Sequence, residues 1–419
     1  MNILRYICLP GLLVSGDIQT VSAVESKTDK NPNILVILID DAGYNDFGFM
    51  GSKEMQTPNI DALTSEGVVF TDAHVAATVS SPSRACLITG RYGHRFGYEC
   101  NLSDRTNGLP LEEETIAEVF KTNGYRTADE RNLLLNDRQV KFEKYLTDAF
   151  SEKAVEFINE SSQPFMMYLA YNAVHTPMQA TDEDMAKFEG HPRQKLAAMT
   201  YALDRGVGTV IRGLKDSGKF DNTLIFFLSD NGGATTNQSS NYPLKGFKGN
   251  KFEGGHRVPY FVVWKNGIPA GKPYDGLVSS LDIFATAIDA ASISKTRNRL
   301  DGVSLLPYLK GKKGEPHKVL YWRKMDTRAI RSGDYKLIIT HGVDSVLYNI
   351  RRDPEEMNNL INKEPDLYRK LAKKLAKWEK NECIEPSWLE EGWRKITNRY
   401  HQQLMHNEIK TAQDLYKKK

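Results

Sequence analysis

Apolar runs rich in β-branched and aromatic residues recur along the chain at Ile34–Ile39, Pro164–Tyr171, Thr223–Leu228 and Tyr260–Trp264, separated by stretches of helical periodicity. Runs that stay apolar on both faces read as strands buried from both sides. Such strands alternating with helices predict an α/β class: a large mixed, mainly parallel sheet sandwiched by helices. From about residue 315 the pattern changes. Arg328–Ile339 and Ser345–Ile350 read as short strands and turns, and Leu367, Leu371, Leu375 and Trp378 then share one face of a basic helix. The expected organisation is a main unit over residues 30–314, followed over 315–419 by a small antiparallel sheet, a packed helix and a polar tail ending in Lys417, Lys418 and Lys419.

The N-terminus has its own pattern. Arg5 precedes the apolar run Ile7–Val14, and Val21-Ser22-Ala23 has the small residues of a cleavage site, so residues 1–23 are expected to be a signal peptide and the protein periplasmic or secreted. No later segment is long and apolar enough to span a bilayer, which argues against stable membrane insertion.

Composition narrows the function classes. With 419 residues, 40% apolar and 26% charged, the chain can bury a large core. Its 56 Lys and Arg nearly balance 53 Asp and Glu, and a net charge of +3 gives no field for nucleic acid. The four cysteines, Cys8, Cys86, Cys100 and Cys383, are too scattered for a disulfide framework or zinc cluster.

Chemistry gathers where strands end. Asp40 and Asp41 directly follow the first apolar run, and adjacent carboxylates there are costly unless something positive joins them. Asp230-Asn231-Gly232-Gly233 ends another run and adds oxygen donors, although Asn-Gly is also ordinary turn chemistry. Four hard oxygens without a soft ligand favour calcium over zinc, with magnesium the weaker option. Ser80-Ser81-Pro82-Ser83-Arg84, continuing through Leu87-Ile88-Thr89-Gly90-Arg91, reads as a helix with Ser80 at its positively polarised start, where an anion is favoured. Lys248 lies among glycines, and His175 sits in Val174-His175-Thr176-Pro177 after a strand.

The Ser80 element resembles the maturation signal of formylglycine-dependent sulfatases, in which a maturase oxidises a serine or cysteine followed by Pro two residues on and Arg four residues on. Only Ser80 fits that register; Ser81 and Cys86 do not. The segments Asp40–Tyr44, Thr57–Asp61, Tyr145–Asp148, His175–Pro177, Asp230–Gly233 and Asp301–Leu306 extend the resemblance to type I sulfatases of the alkaline-phosphatase superfamily, from about Asn33 to Leu360. The resemblance implies a serine-type maturase as partner and 3-oxoalanine (formylglycine) at residue 80. It implies calcium held by Asp40, Asp41, Asp230, Asn231 and the modified Ser80, with Arg84, His175 and Lys248 handling the sulfate. The implied substrate is a sulfated carbohydrate or an aryl sulfate. His74, His94 and His256 match no catalytic position and are expected in packing, at the surface or in a turn. Around the site entrance, Arg95, Tyr98 and Asn241 are candidates to meet a sugar.

One departure bears on mechanism. Family members follow a segment like Gly124-Tyr125-Arg126-Thr127-Ala128 with Gly-Lys-Trp-His-Leu-Gly; here the chain continues as Asp129-Glu130-Arg131-Asn132. By the resemblance, the missing lysine contacts sulfate and the missing histidine is the base that lets sulfate leave. Attack and alcohol departure keep their groups, so the expectation is a slow or stalled enzyme that gives a burst with an aryl sulfate and retains a sulfated protein. Losing one general base typically costs roughly a hundredfold to ten-thousandfold in rate. The alternatives are a non-catalytic relative that binds sulfated glycans and a phosphoester hydrolase on the same scaffold, since both chemistries use metal-assisted displacement at a tetrahedral anion.

Overall fold

In a computed structural model the described residues are 31–101, 108–129, 134–135, 138–139 and 144–417. The expected signal peptide and the stretch Glu130–Leu133 lie outside them. The six-stranded main sheet runs, in spatial order, Gly67–Val69, Tyr260–Val263, Thr223–Ser229, Asn33–Ile39, Phe165–Ala170 and Arg126–Asp129. Asn33–Ile39 is central and parallel to both neighbours, with Ile34 opposite Leu224 on one side and Met166 on the other. Arg126–Asp129 extends the parallel set, while Tyr260–Val263 and Gly67–Val69 turn antiparallel at the other edge.

Both faces are covered, which explains the unbroken apolar runs. Leu35, Ile37 and Ile39 pack with Leu203, Val207 and Val210 of the helix Gln194–Asp216, and Ile34, Val36 and Leu38 pack with Phe120, Ile283 and Phe284 of helices on the opposite face. The strand direction therefore sends Asp40, Asp41, Asp230 and Asn231 out at the same edge of the sheet, the C-terminal ends of two neighbouring parallel strands.

The late region forms an antiparallel sheet of four strands, Val319–Lys324, Thr327–Ser332, Tyr335–Thr340 and Asp344–Asn349. The stretch Arg328–Ile339 is thus two strands, reversing through Gly333, whose φ of 56° suits a residue without a Cβ. Helix Pro365–Glu382 buries Leu371, Leu375 and Trp378 as their spacing predicts. Beyond it the chain forms a further helix, Glu391–Met405, that burial of His401, Leu404 and Met405 holds in place, and a short one, Ala412–Lys417. No helix among the described residues is long and apolar enough to cross a membrane.

His317 fastens the start of this region to helix Asp282–Ala290. Its Nε2 lies 2.7 Å from Asp282 Oδ1, at the first turn of helix Asp282–Ala290. Burial alone would lower the imidazole pKa, but the Asp282 carboxylate overrides it and the net shift is upward. A raised folded-state pKa gives stability that is fully present below the unfolded pKa and is lost as pH rises through the folded one. His317→Asn should therefore cost more stability at about pH 5.5 than at about pH 9, measured by urea denaturation.

Candidate active site

Helix Ser80–Thr89 starts at Ser80, with Val79 extended before it and no side chain capping its free N–H groups. It ends at Gly90 in the left-handed region (φ 65°), where a Cβ would lie 2.9 Å from the Cβ of Phe284, so no other residue fits without displacing that helix. Arg84 stands one turn beyond Ser80 and hence on the same face. Ser80 Oγ is 3.0 Å from Asn231 Oδ1 and 3.3 Å from Asp40 Oδ1, and it accepts from Lys248 Nζ at 3.2 Å. Lys248 Nζ also pairs with Asp41 Oδ1 at 2.6 Å. Arg84 donates from Nε and a terminal nitrogen to Asp230 Oδ2 at 3.2 and 3.1 Å, and meets Asp40 Oδ2 at 3.0 Å.

The supporting contacts fix these groups. The Asn231 amide nitrogen donates to Asp41 Oδ1 at 2.8 Å, which turns its oxygen toward Ser80. Asp41 adopts φ 61°, unusual for a residue with a Cβ, and its backbone N–H donates to Asp230 Oδ1 at 3.2 Å. A Cβ on Gly232 would stand 1.8 Å from the Gly254 carbonyl oxygen, so the turn after Asn231 needs glycine. His175 Nδ1 donates to the Thr176 carbonyl, leaving Nε2 to face Asp41 Oδ2 at 3.5 Å. All eight residues singled out in the sequence, Asp40, Asp41, Ser80, Arg84, His175, Asp230, Asn231 and Lys248, thus meet at one place.

The electrostatics are lopsided. Among the described residues, three carboxyl groups, those of Asp40, Asp41 and Asp230, face two fixed cations, Arg84 and Lys248, with Asp41 and Asp230 each 1% exposed. Burial, then Asp230, push the Asp40 carboxyl well above the ordinary carboxylate range. Burial opposes the charges on Arg84 and Lys248, yet Asp230 and Asp41 respectively lead the carboxylates that hold both pKa values above their usual ones. The ligand atoms of Asp40, Asp41 and His175 lie within 4.8 Å of one another. The four side-chain oxygen donors of Asp40, Asp41, Asp230 and Asn231 fit a hard divalent cation, which these residues would hold.

A cavity of about 280 Å³ opens over Asp41, His175 and Lys248 and is bounded on its far side by helix Glu391–Met405. The sulfatase family model matches residues 32–293, and that of the N-sulphoglucosamine sulphohydrolase C-terminal region matches 248–381. The chain belongs to the sulfatase family. As a sulfatase it is a sulfuric ester hydrolase. It is 32% identical to the uncharacterized sulfatase YdeN of Escherichia coli (strain K12), over 71% of this chain and 70% of that protein. It is 29% identical to N-acetylgalactosamine-6-sulfatase of Canis lupus familiaris, over 73% and 71%. The crystal structure of Ps i-CgsB in complex with k-i-k-neocarrahexaose superposes with a TM-score of 0.80 at 34% identity, covering 89% of this chain and 99% of that one.

Other residues of the sulfatase take structural parts. Arg95 is fixed by Asp301 and Glu382, Tyr98 packs edge-on against Trp388, and Asn241 is 2% exposed and bonded to the Gly233 backbone. None of these three is free to meet a sugar; Asn101, Thr235 and Thr236 line the cavity instead. His74, His94 and His256 are all buried, so none is a surface residue. His74, Glu253 and His256 cluster closely enough to hold a metal ion, but Lys336 Nζ already sits 2.8 Å from Glu253 and 3.1 Å from His256. A resident ammonium makes that cluster a charge bridge between the two sheets.

Sequence reasoning missed the wall of the cavity. Trp393, Ile396, Tyr400 and Leu404 recur at helical spacing, a readable signal in an otherwise polar stretch.

Proposed function

We propose that the sulfatase removes sulfate from a sulfated carbohydrate at residue 80, after a serine-type maturase has oxidised Ser80 to formylglycine, and with calcium as the metal. The observation that carries this reading is Ser80 Oγ within reach of Asp40, Asn231 and Lys248 at once, at the start of a helix and beside Arg84 and Lys248, the cations paired with the carboxylate cluster. When present, hydrated formylglycine supplies a hydroxyl able to attack sulfur, and calcium supplies positive charge beside it. Arg84 and Lys248 hold residue 80 and offer N–H donors to an anion arriving there. His175 Nε2 faces the cavity and, with the ring protonated at both nitrogens, can give a proton to the departing alcohol oxygen. A carbohydrate substrate is supported by the 34% identical Ps i-CgsB, solved with a neocarrahexaose. Export, supported by the N-terminal pattern, suits an enzyme that meets polysaccharide outside the cell.

The reading includes slow release of sulfate. An alignment of 391 positions with YdeN takes in only 71% of this chain, which leaves a large block of that relative without a counterpart here. Nor does a second histidine take over as base. His401, the other histidine lining the cavity, accepts from Lys251 N–H, donates to the Thr397 carbonyl and is driven by burial to a pKa of about 3.

Co-expression with a serine-type maturase should convert the peptide containing residue 80 to a mass lower by two hydrogens. The matured protein given 4-nitrophenyl sulfate should release about one equivalent of alcohol quickly and then turn over roughly a hundredfold or more slowly than that first phase. Serine left unmodified removes the nucleophile, and faster cleavage of the phosphate ester of the same alcohol selects the phosphoester reading instead. Calcium should raise the unfolding free energy by about 2.7 kcal/mol at a free concentration near 100 times Kd. No shift in the melting curve on adding calcium or EGTA would exclude it as the resident ion.

A further inference from the structure

Helix Glu391–Met405 lies beyond both matched regions, which end at residues 293 and 381, and yet it walls the cavity over Lys248 and His175. Trp393, Thr397 and Tyr400 project from one face at i, i+4 and i+7. That face spans roughly 10 Å along the axis. Tyr400 is anchored edge-on against Phe247 (ring centroids 5.4 Å apart), in the segment that carries Lys248. Trp393 is 58% exposed, one of only a few large apolar side chains so open among the described residues. An indole left in water at the rim of a cavity whose floor is ionic offers a flat apolar face joined to a polar one, the pairing that a pyranose ring presents.

Charge says which ring belongs there. On the helix side the charged lining residues are Lys324 and Glu390, paired to each other at 2.6 Å and both nearly buried. Lys248 is committed to Asp41 and Ser80. Among the described residues that line the cavity on the helix side, no cation is left unmatched for a second sulfate. The cavity's 280 Å³ suits one sulfated ring rather than a chain.

We propose that helix Glu391–Met405 forms a neutral sugar subsite, in which Trp393 stacks on the unsulfated ring next to the sulfated one and so sets the preference for oligosaccharide over small esters. This rests on the carbohydrate reading above. The test is equilibrium binding to the full chain carrying Ser80→Ala, with k-i-k-neocarrahexaose and 4-nitrophenyl sulfate as probes, followed by calorimetry and tryptophan fluorescence. Adding Trp393→Ala should weaken the hexaose tenfold or more, abolish most of its fluorescence quench and leave the small ester within twofold, and Trp393→Phe should restore most of the affinity though not the quench. Equal weakening of both probes, or of neither, overturns the subsite. If the Ser80→Ala protein binds the small ester but no hexaose, the subsite falls while the sulfatase chemistry stands; if it binds neither, the proposed site falls with it.

Discussion

Ser80→Ala in the matured enzyme should lower aryl sulfate hydrolysis by roughly ten-thousandfold or more, to the rate in buffer, because no neighbouring hydroxyl can stand in for it. Ser81, the adjacent candidate, has its hydroxyl bonded to the Tyr98 phenol at 2.5 Å and its N–H to Asn101, so it faces away from the carboxylates. Ser81→Ala should keep activity within a few-fold. The Ser80 change should leave the fold nearly as stable, within about 1 kcal/mol. Lys248 retains Asp41 as a partner, and Arg84 retains Asp230 and Asp40. Parallel measurement of 4-nitrophenol release and urea midpoints separates loss of a reacting group from loss of structure.

The largest stability effect is expected at Lys336. It is fully buried on the strand Tyr335–Thr340 and reaches Glu253 at 2.8 Å and Glu356 at 2.9 Å. Burial by itself would raise the Glu253 carboxyl, but Lys336 overrides it and holds it well below the usual range, while burial leads in pushing Glu356 up to about 7. Burial, then Lys336, keep the His256 imidazole neutral, stacked 4.1 Å from the Trp322 ring. Lys336→Met strands one buried carboxylate and should destabilise the protein by about 3–5 kcal/mol in urea denaturation. Adding Glu253→Gln should recover part of that loss, since the stranded charge goes with it. A single change within about 1 kcal/mol of wild type would show that the cluster is wetter than its burial implies.

How far the sequence reached is uneven for a physical reason. Strands covered on both faces must be apolar throughout, so Asn33–Ile39 and Thr223–Ser229 were readable within a residue or two. Residues that follow a parallel strand must emerge at one edge, so Asp40, Asp41, Asp230 and Asn231 were readable as neighbours although 189 positions separate Asp41 from Asp230. Arg95, Tyr98 and Asn241 were not readable, because what occupies Arg95 and Tyr98 lies far away in sequence, at Asp301, Glu382 and Trp388. The helix Glu391–Met405 escaped notice because its buried side is narrow: only His401, Leu404 and Met405 are fully enclosed. His256, read as a turn residue, sits in a short helix whose burial depends on a sheet formed eighty residues later.

The burial of the Ser80 helix also sets an order of events. Pro82 is enclosed, and Arg84, whose side chain is 27% exposed, is tied to two carboxylates from separate strands, so on the proposed reading a maturase that needs this stretch extended meets it in that form only before the main sheet has closed. On the proposed reading oxidation comes first, on a chain not yet folded, and a molecule that folds before meeting its maturase keeps a plain serine. The yield of competent enzyme then reflects a race between two rates, and slowing the collapse of the nascent chain would raise it without any change to the finished site.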